Sequence, residues 1–124
     1  MNENKMTAQK LAALLQQGTA HHNAGRLARA EACYKQVLQC KPDYADALFL
    51  LGTLAHDVNH DEMAVELLQR AIAYDPRQAR YYFNLGVFQE SLGHYGEAMQ
   101  AYQKAIKRRP DYAKAYNNLG LLQR

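Results

Sequence analysis

Apolar residues fall into paired helical stretches that recur along the chain. In residues 79–112, Tyr82, Leu85 and Gly86 stand three to four apart, with Gln89 next in the row. Ala98, Tyr102, Ala105 and Ile106 then do the same. This spacing lines one face of an α-helix. The stretches are separated by Ser91-Leu92-Gly93-His94-Tyr95, a turn with a glycine free to take an unusual backbone angle. Asn23-Ala24-Gly25-Arg26 and Asp57-Val58-Asn59-His60 occupy the equivalent places earlier, with Asn59 replacing glycine as the residue most tolerant of left-handed geometry. Gly18, Gly52, Gly86 and Gly120 are spaced by 34 residues, as are Pro42, Pro76 and Pro110, and Ala30, Ala64 and Ala98. Three residue classes in phase mean one supersecondary unit, copied and stacked.

The units run over 11–44, 45–78 and 79–112, with a partial fourth at 113–124 and an N-terminal extension over 1–10 that leads into the first helix. Seven helices are predicted, over 7–22, 26–40, 44–57, 61–74, 78–91, 95–108 and 112–123. The prolines stop each second helix, and Asp43 and Asp111 are placed to cap the helix that follows. The glycines lie late in the first helices and Ala30, Ala64 and Ala98 early in the second, so small side chains meet where the pair crosses. Leu51, Leu85 and Leu119 precede three of the glycines and supply buried area. A bulkier residue at a glycine site would overpack the crossing, at about 1–3 kcal/mol.

At these positions the chain resembles the tetratricopeptide repeat (TPR), a 34-residue helix pair. The family prefers an aromatic or Leu, Leu-Gly, an aromatic, Ala, an aromatic, Ala and Pro. The third unit offers Tyr82, Leu85-Gly86, Gln89, Ala98, Tyr102, Ala105 and Pro110. The second offers Leu48, Leu51-Gly52, Ala55, Ala64, Leu68, Ala71 and Pro76. The first departs most, with Leu14, Gln17-Gly18, His21, Ala30, Tyr34, Val37 and Pro42. The resemblance spans 11–124 and implies an all-α, right-handed superhelical solenoid. A solenoid offers an extended surface rather than a buried pocket, which favours binding over chemistry.

Composition narrows the picture. No apolar run is long enough for a membrane span, and the polar Met1-Asn2-Glu3-Asn4-Lys5 lacks the apolar stretch of a secretory signal, so a cytoplasmic location and no membrane partner are expected. Cys33 and Cys40 lie roughly 10 Å apart along one predicted helix, too far for a disulfide. The histidines His21, His22, His56, His60 and His94 form no metal-ligand spacing with them. No nucleophile has a placed base and no glycine-rich phosphate loop is present, so no enzyme activity and no cofactor are expected. The net charge of +3 hides an alternation: six basic and three acidic residues in 1–44, two and six in 45–78, seven and three in 79–124. Such a pattern can steer a ligand or a second copy. Lys104, Lys107, Arg108 and Arg109 close a helix, where cations complement the macrodipole. With no aromatic stacking surface beside them, no nucleic acid is expected.

The resemblance also implies where a ligand sits, because the first helices of successive TPR units line a concave groove. Carried over, the peptide-binding positions are Leu15, Thr19, Asp46, Phe49, Leu50, Thr53, Arg80, Phe83, Asn84, Val87, Lys114, Asn117, Asn118 and Leu121. Leu15, Phe49, Leu50, Phe83 and Val87 form an apolar stripe expected to stand outside the core. Leu15, Thr19 and Leu50 replace the Lys, Asn and Asn with which some TPR domains clamp a terminal carboxylate; Arg80 fits one place of such a clamp but Asn84 replaces its arginine, so a chaperone-tail clamp is not expected. Asn84 and Asn118, one repeat apart, resemble two rungs of the asparagine ladder in O-linked N-acetylglucosamine transferases. Two readings follow. One is a non-catalytic module that binds a peptide or helix of a partner protein. The other is the substrate-recruiting segment of a larger enzyme such as that glycosyltransferase. The partial fourth unit leaves Leu119 and Leu122 on an apolar surface, where a homodimer through the C-terminal helix is expected.

Overall fold

The computed structural model describes residues 6–124. Residues 1–5, which hold the first half of the expected extension, lie outside the described residues. Seven helices follow one another: α1 Ala8–Asn23, α2 Leu27–Cys40, α3 Ala45–Asp57, α4 Asp61–Tyr74, α5 Ala79–Ser91, α6 Tyr95–Arg108 and α7 Ala113–Leu122. Each boundary lies within one residue of the predicted one, and no strand occurs among the described residues. The helices pair in sequence, α1 with α2, α3 with α4 and α5 with α6, and each second helix packs on the next first helix. The fold is an α-solenoid.

The turns explain why the chain reverses where it does. Gly25, Asn59 and Gly93 all take positive φ, at 81°, 65° and 80°. The next residue then reaches back: the Arg26, His60 and His94 amides donate to the carbonyls of His21, Ala55 and Gln89 at 2.8–2.9 Å. That six-residue closure satisfies helix-end carbonyls and turns the chain.

The crossings are built on glycine. A Cβ added at Gly18 would stand 2.5 Å from Tyr34, one at Gly52 2.4 Å from Leu68, and one at Gly86 2.5 Å from Tyr102. Tyr34, Leu68 and Tyr102 are fully buried, and each fills the seat that its glycine leaves. Gly120 differs: among the described residues nothing lies within 4 Å of a Cβ there. The family's aromatic is missing at Ala55 and Gln89, and a recess opens beside each between successive second helices.

Helix capping departs from expectation. Asp43 and Asp111 do not cap. The N-caps of α3 and α7 are Tyr44 and Tyr112, with no side-chain cap bond, and Asp111 instead pairs with Arg109 at 3.5 Å. Thr7 caps α1 by accepting from the Lys10 amide at 3.1 Å. Cys33 and Cys40 are half-buried and are not joined in a disulfide.

Candidate functional site

First helices approach one another along one side of the stack. α1 touches α3 and α3 touches α5, whereas α2, α4 and α6 show no comparable mutual contact among the described residues. The stack therefore curves with the first helices inside, and the inner face carries the residues expected to bind.

That face is partly core. Phe49 is only 7% exposed and Leu15 8%. Both were expected outside the core, and the structure corrects this. Leu15 packs in the cluster of Leu11, Tyr34, Val37 and Leu54, where α1, α2 and α3 meet. The Phe49 ring stacks on Tyr81, centroids 4.9 Å apart, with the Arg80 guanidinium 5.1 Å from its centre. Curvature draws neighbouring first helices together, so large side chains on the inner face are covered by the next repeat. Leu50, Phe83 and Val87 remain half-buried, and Leu121 is exposed.

The polar residues fall into local pairs. Arg80 donates to Asp46 across α3 and α5 at 2.6 Å, and the Tyr81 hydroxyl donates to the same carboxylate. Burial pushes the Tyr81 phenol far above its ordinary range, and the bond to Asp46 adds to the shift. Thr19 and Thr53 bond carbonyls of their own helices, Leu15 O at 2.9 Å and Leu50 O at 2.7 Å. Asn84 donates to Arg80 O at 2.8 Å, while Asn118 donates to the Tyr102 hydroxyl at 3.4 Å. These two asparagines do not present themselves alike, as the rungs of a ladder would. Asn117 and Lys114 are exposed.

Two recesses gather several of these residues. Phe83, Asn84 and Lys114 line one of about 470 Å³, together with Arg109, Asp111 and Tyr112. Val87 and Asn118 line one of about 200 Å³ with Glu90, Ser91 and Tyr102. The Tyr102 hydroxyl donates to Glu90 at 2.8 Å. Its phenol is pushed up by burial, opposed by the Asn118 bond and reinforced by Glu90.

Sequence reasoning missed the histidine pairs at the turn end of the stack. His22 Nε2 lies 2.5 Å from Asp57 Oδ2, joining the ends of α1 and α3. His56 Nδ1 lies 2.5 Å from Asp61 Oδ1, and its ring stacks on Phe88 at 4.5 Å. The 35-residue separation of His22 and Asp57, one more than the period, was the available signal. No group of three or more His, Cys, Asp or Glu side chains among the described residues is arranged to hold a metal. No helix there is long and apolar enough to cross a membrane.

Comparison with known proteins agrees with this architecture. A sequence profile of the tetratricopeptide repeat matches residues 21–85, and a second, for the TPR repeat, matches 90–123. No curated protein matches significantly. Among solved structures, MamA superposes with a TM-score of 0.84 at 29% identity, over 90% of this chain and 66% of that one. The Thermobaculum terrenum O-GlcNAc transferase superposes at 0.88 and 31% identity, over 98% of this chain but 23% of that one. The first TPR domain of Spaghetti (RPAP3), bound to the HSP90 peptide SRMEEVD, superposes at 0.89 over 98% of this chain and 96% of that one; its 18% identity carries the fold alone.

Proposed function

The chain belongs to the tetratricopeptide-repeat family, and from that premise we propose that it is a non-catalytic module binding a peptide or helix of a partner protein on its inner face. The observation that carries this is the half-buried apolar row of Leu50, Phe83 and Val87, near Asn84, Asn118, Lys114 and Arg80 and only partly covered by the helices of the described residues. An apolar strip with hydrogen-bonding edges suits an extended or helical segment, whose side chains enter the strip while its backbone meets the edges. The proposal includes a cytoplasmic location, tested by cell fractionation.

Phe49 is unsuited to testing the groove, because it is core. A Phe83→Ala/Val87→Ala variant should stay helical by circular dichroism and lose its partner in a pull-down. Retention of the partner would refute the inner-face reading. A second reading, a substrate-recruiting segment of a larger glycosyltransferase, is favoured by the 31% identity over 98% of this chain. Sequencing the reading frame beyond Arg124 into a catalytic domain, or to a stop codon, decides it. Self-association through Leu119 and Leu122 belongs to the same proposal: Gly120 has an open seat beside them, and Tyr116 is exposed. Sedimentation equilibrium should show a dimer that Leu122→Glu weakens; a strict monomer at all concentrations refutes it.

A further inference from the structure

The inner face contains the same step twice. Asp46, Phe49, Arg80 and Tyr81 in the α3–α5 step align, 34 residues on, with Arg80, Phe83, Lys114 and Ala115 in the α5–α7 step. The first step is closed. Tyr81 stacks on Phe49, Arg80 lies over both rings, and Asp46 accepts from Arg80 and from the Tyr81 hydroxyl. The second step has lost two of those parts. Ala115 supplies no ring, and Arg80 stands where Asp46 stood, so cation aligns with carboxylate. What remains is an aromatic floor, a lysine without an ion-pair partner among the described residues, and the open recess of about 470 Å³. The one acid on its wall, Asp111, is already paired with Arg109.

We propose that an aspartate or glutamate side chain of a bound peptide fills this recess and supplies the missing carboxylate, as Asp46 does one repeat earlier. The carboxylate meets Lys114 and the second N–H of Asn84. Phe83 and Tyr112, whose rings pack on each other with centroids 5.1 Å apart, form an aromatic wall for the stem and an adjacent apolar residue. With Arg80 balanced by Asp46 and Arg109 by Asp111, Lys114 leaves the recess one positive charge in excess, which draws in an acidic segment and disfavours a basic one. The acid is an internal side chain: the recess is selected by an unfilled place in the repeat, and its cations, Lys114 and Arg109, come from α7 and the loop between α6 and α7.

The inference rests on the inner-face reading, and the test separates the two. Peptides are selected from a random-peptide phage library against the 124-residue protein. They are then mapped by amide chemical shifts and titrated calorimetrically. Selected peptides should be enriched in Asp or Glu beside an apolar residue and should shift resonances on α5 and α7. Changing that acid to its amide, or Lys114→Met in the protein, should each weaken binding about tenfold. The two changes combined should cost no more than either alone. Asn84→Glu, which supplies a carboxylate in cis, should also weaken binding while leaving the circular-dichroism spectrum intact. Peptides that map to the inner face but are neutral and indifferent to Lys114→Met would overturn this proposal and leave the groove reading standing. Peptides that map to the outer helices, or no selected peptide at all, would overturn both.

Discussion

Phe49 and Phe83 hold the same place in successive repeats, on helices of the same length and each two residues before a Leu-Gly. Phe49 is buried under Tyr81 and Arg80. Phe83 is half-buried against Tyr102 and Tyr112, its ring centre 5.8 and 5.1 Å from theirs. Gly86 and Gly120 differ in the same sense, one seating Tyr102 and the other facing open space. The repeat pattern fixes where a side chain stands. What it does there depends on a few positions in the neighbouring repeat: Tyr81 or Ala115, Asp46 or Arg80. Binding surface arises where the copies stop being copies.

The largest contrast should come from the phenylalanines. Phe49→Ala is expected to cost about 3–5 kcal/mol in urea unfolding, as for a buried aromatic. Phe83→Ala should cost well under half of that. Equal losses would mean that the two steps are equally closed. Next come the glycines, with opposite signs. Gly86→Ala drives a methyl into the Tyr102 ring and should destabilise by about 1–3 kcal/mol. Gly120→Ala meets nothing and gains from helix propensity, stabilising by about 0.5–1 kcal/mol. A loss at both sites would show that Gly120 is also seated.

A smaller effect is expected at the charged closure. Asp46→Ala removes the Arg80 pair and the Tyr81 acceptor. Both charged side chains are more than 40% exposed, so the cost should be about 1 kcal/mol, read by the same unfolding curves. The α7 amide resonances should not move; if they do, the two steps are coupled. The smallest effect at neutral pH is alkaline. Burial raises the phenols of Tyr34, Tyr81, Tyr102 and Tyr112 above their ordinary value of about 10. A raised folded value gives stability that is complete below pH of about 10 and is lost as pH climbs toward the folded value, because the unfolded chain ionises first. Helicity and tyrosinate absorbance should therefore change together above that pH, and Tyr81→Phe should soften the transition. Phenolate formation well before any loss of helicity would contradict the burial of these rings.

The fold was legible because its determinants are local and repeated. Gly18, Gly52 and Gly86 announced the crossings, Gly25, Asn59 and Gly93 the turns, and Pro42, Pro76 and Pro110 the stops. Family resemblance then placed each helix within a residue. The inner face was legible only as a set of positions. Whether Phe49 is covered depends on Tyr81 and Arg80 folding over it from the next repeat, a contact 31–32 residues distant. A single-unit pattern treats both phenylalanines alike. Asp43 and Asp111 misled for a related reason: a carboxylate after proline suits a cap, but Tyr44 and Tyr112 take the N-cap geometry one residue later. The His22–Asp57 contact was visible only to a reading that compared repeats with each other.

α7 buries a single residue, Ala115, while every other helix buries at least three. In a stack held by nearest neighbours, such an end opens far more often than the middle. Its amides should exchange with solvent fastest, with protection rising toward α3 and α4. Lys114 rides on this helix. A segment that docks between Phe83 and Lys114 must first hold α7 in place, and part of its interaction energy goes into that ordering. Occupancy would then be recorded as slowed hydrogen exchange along α7, and any contact that independently steadies α7 would tighten the segment's hold without touching it.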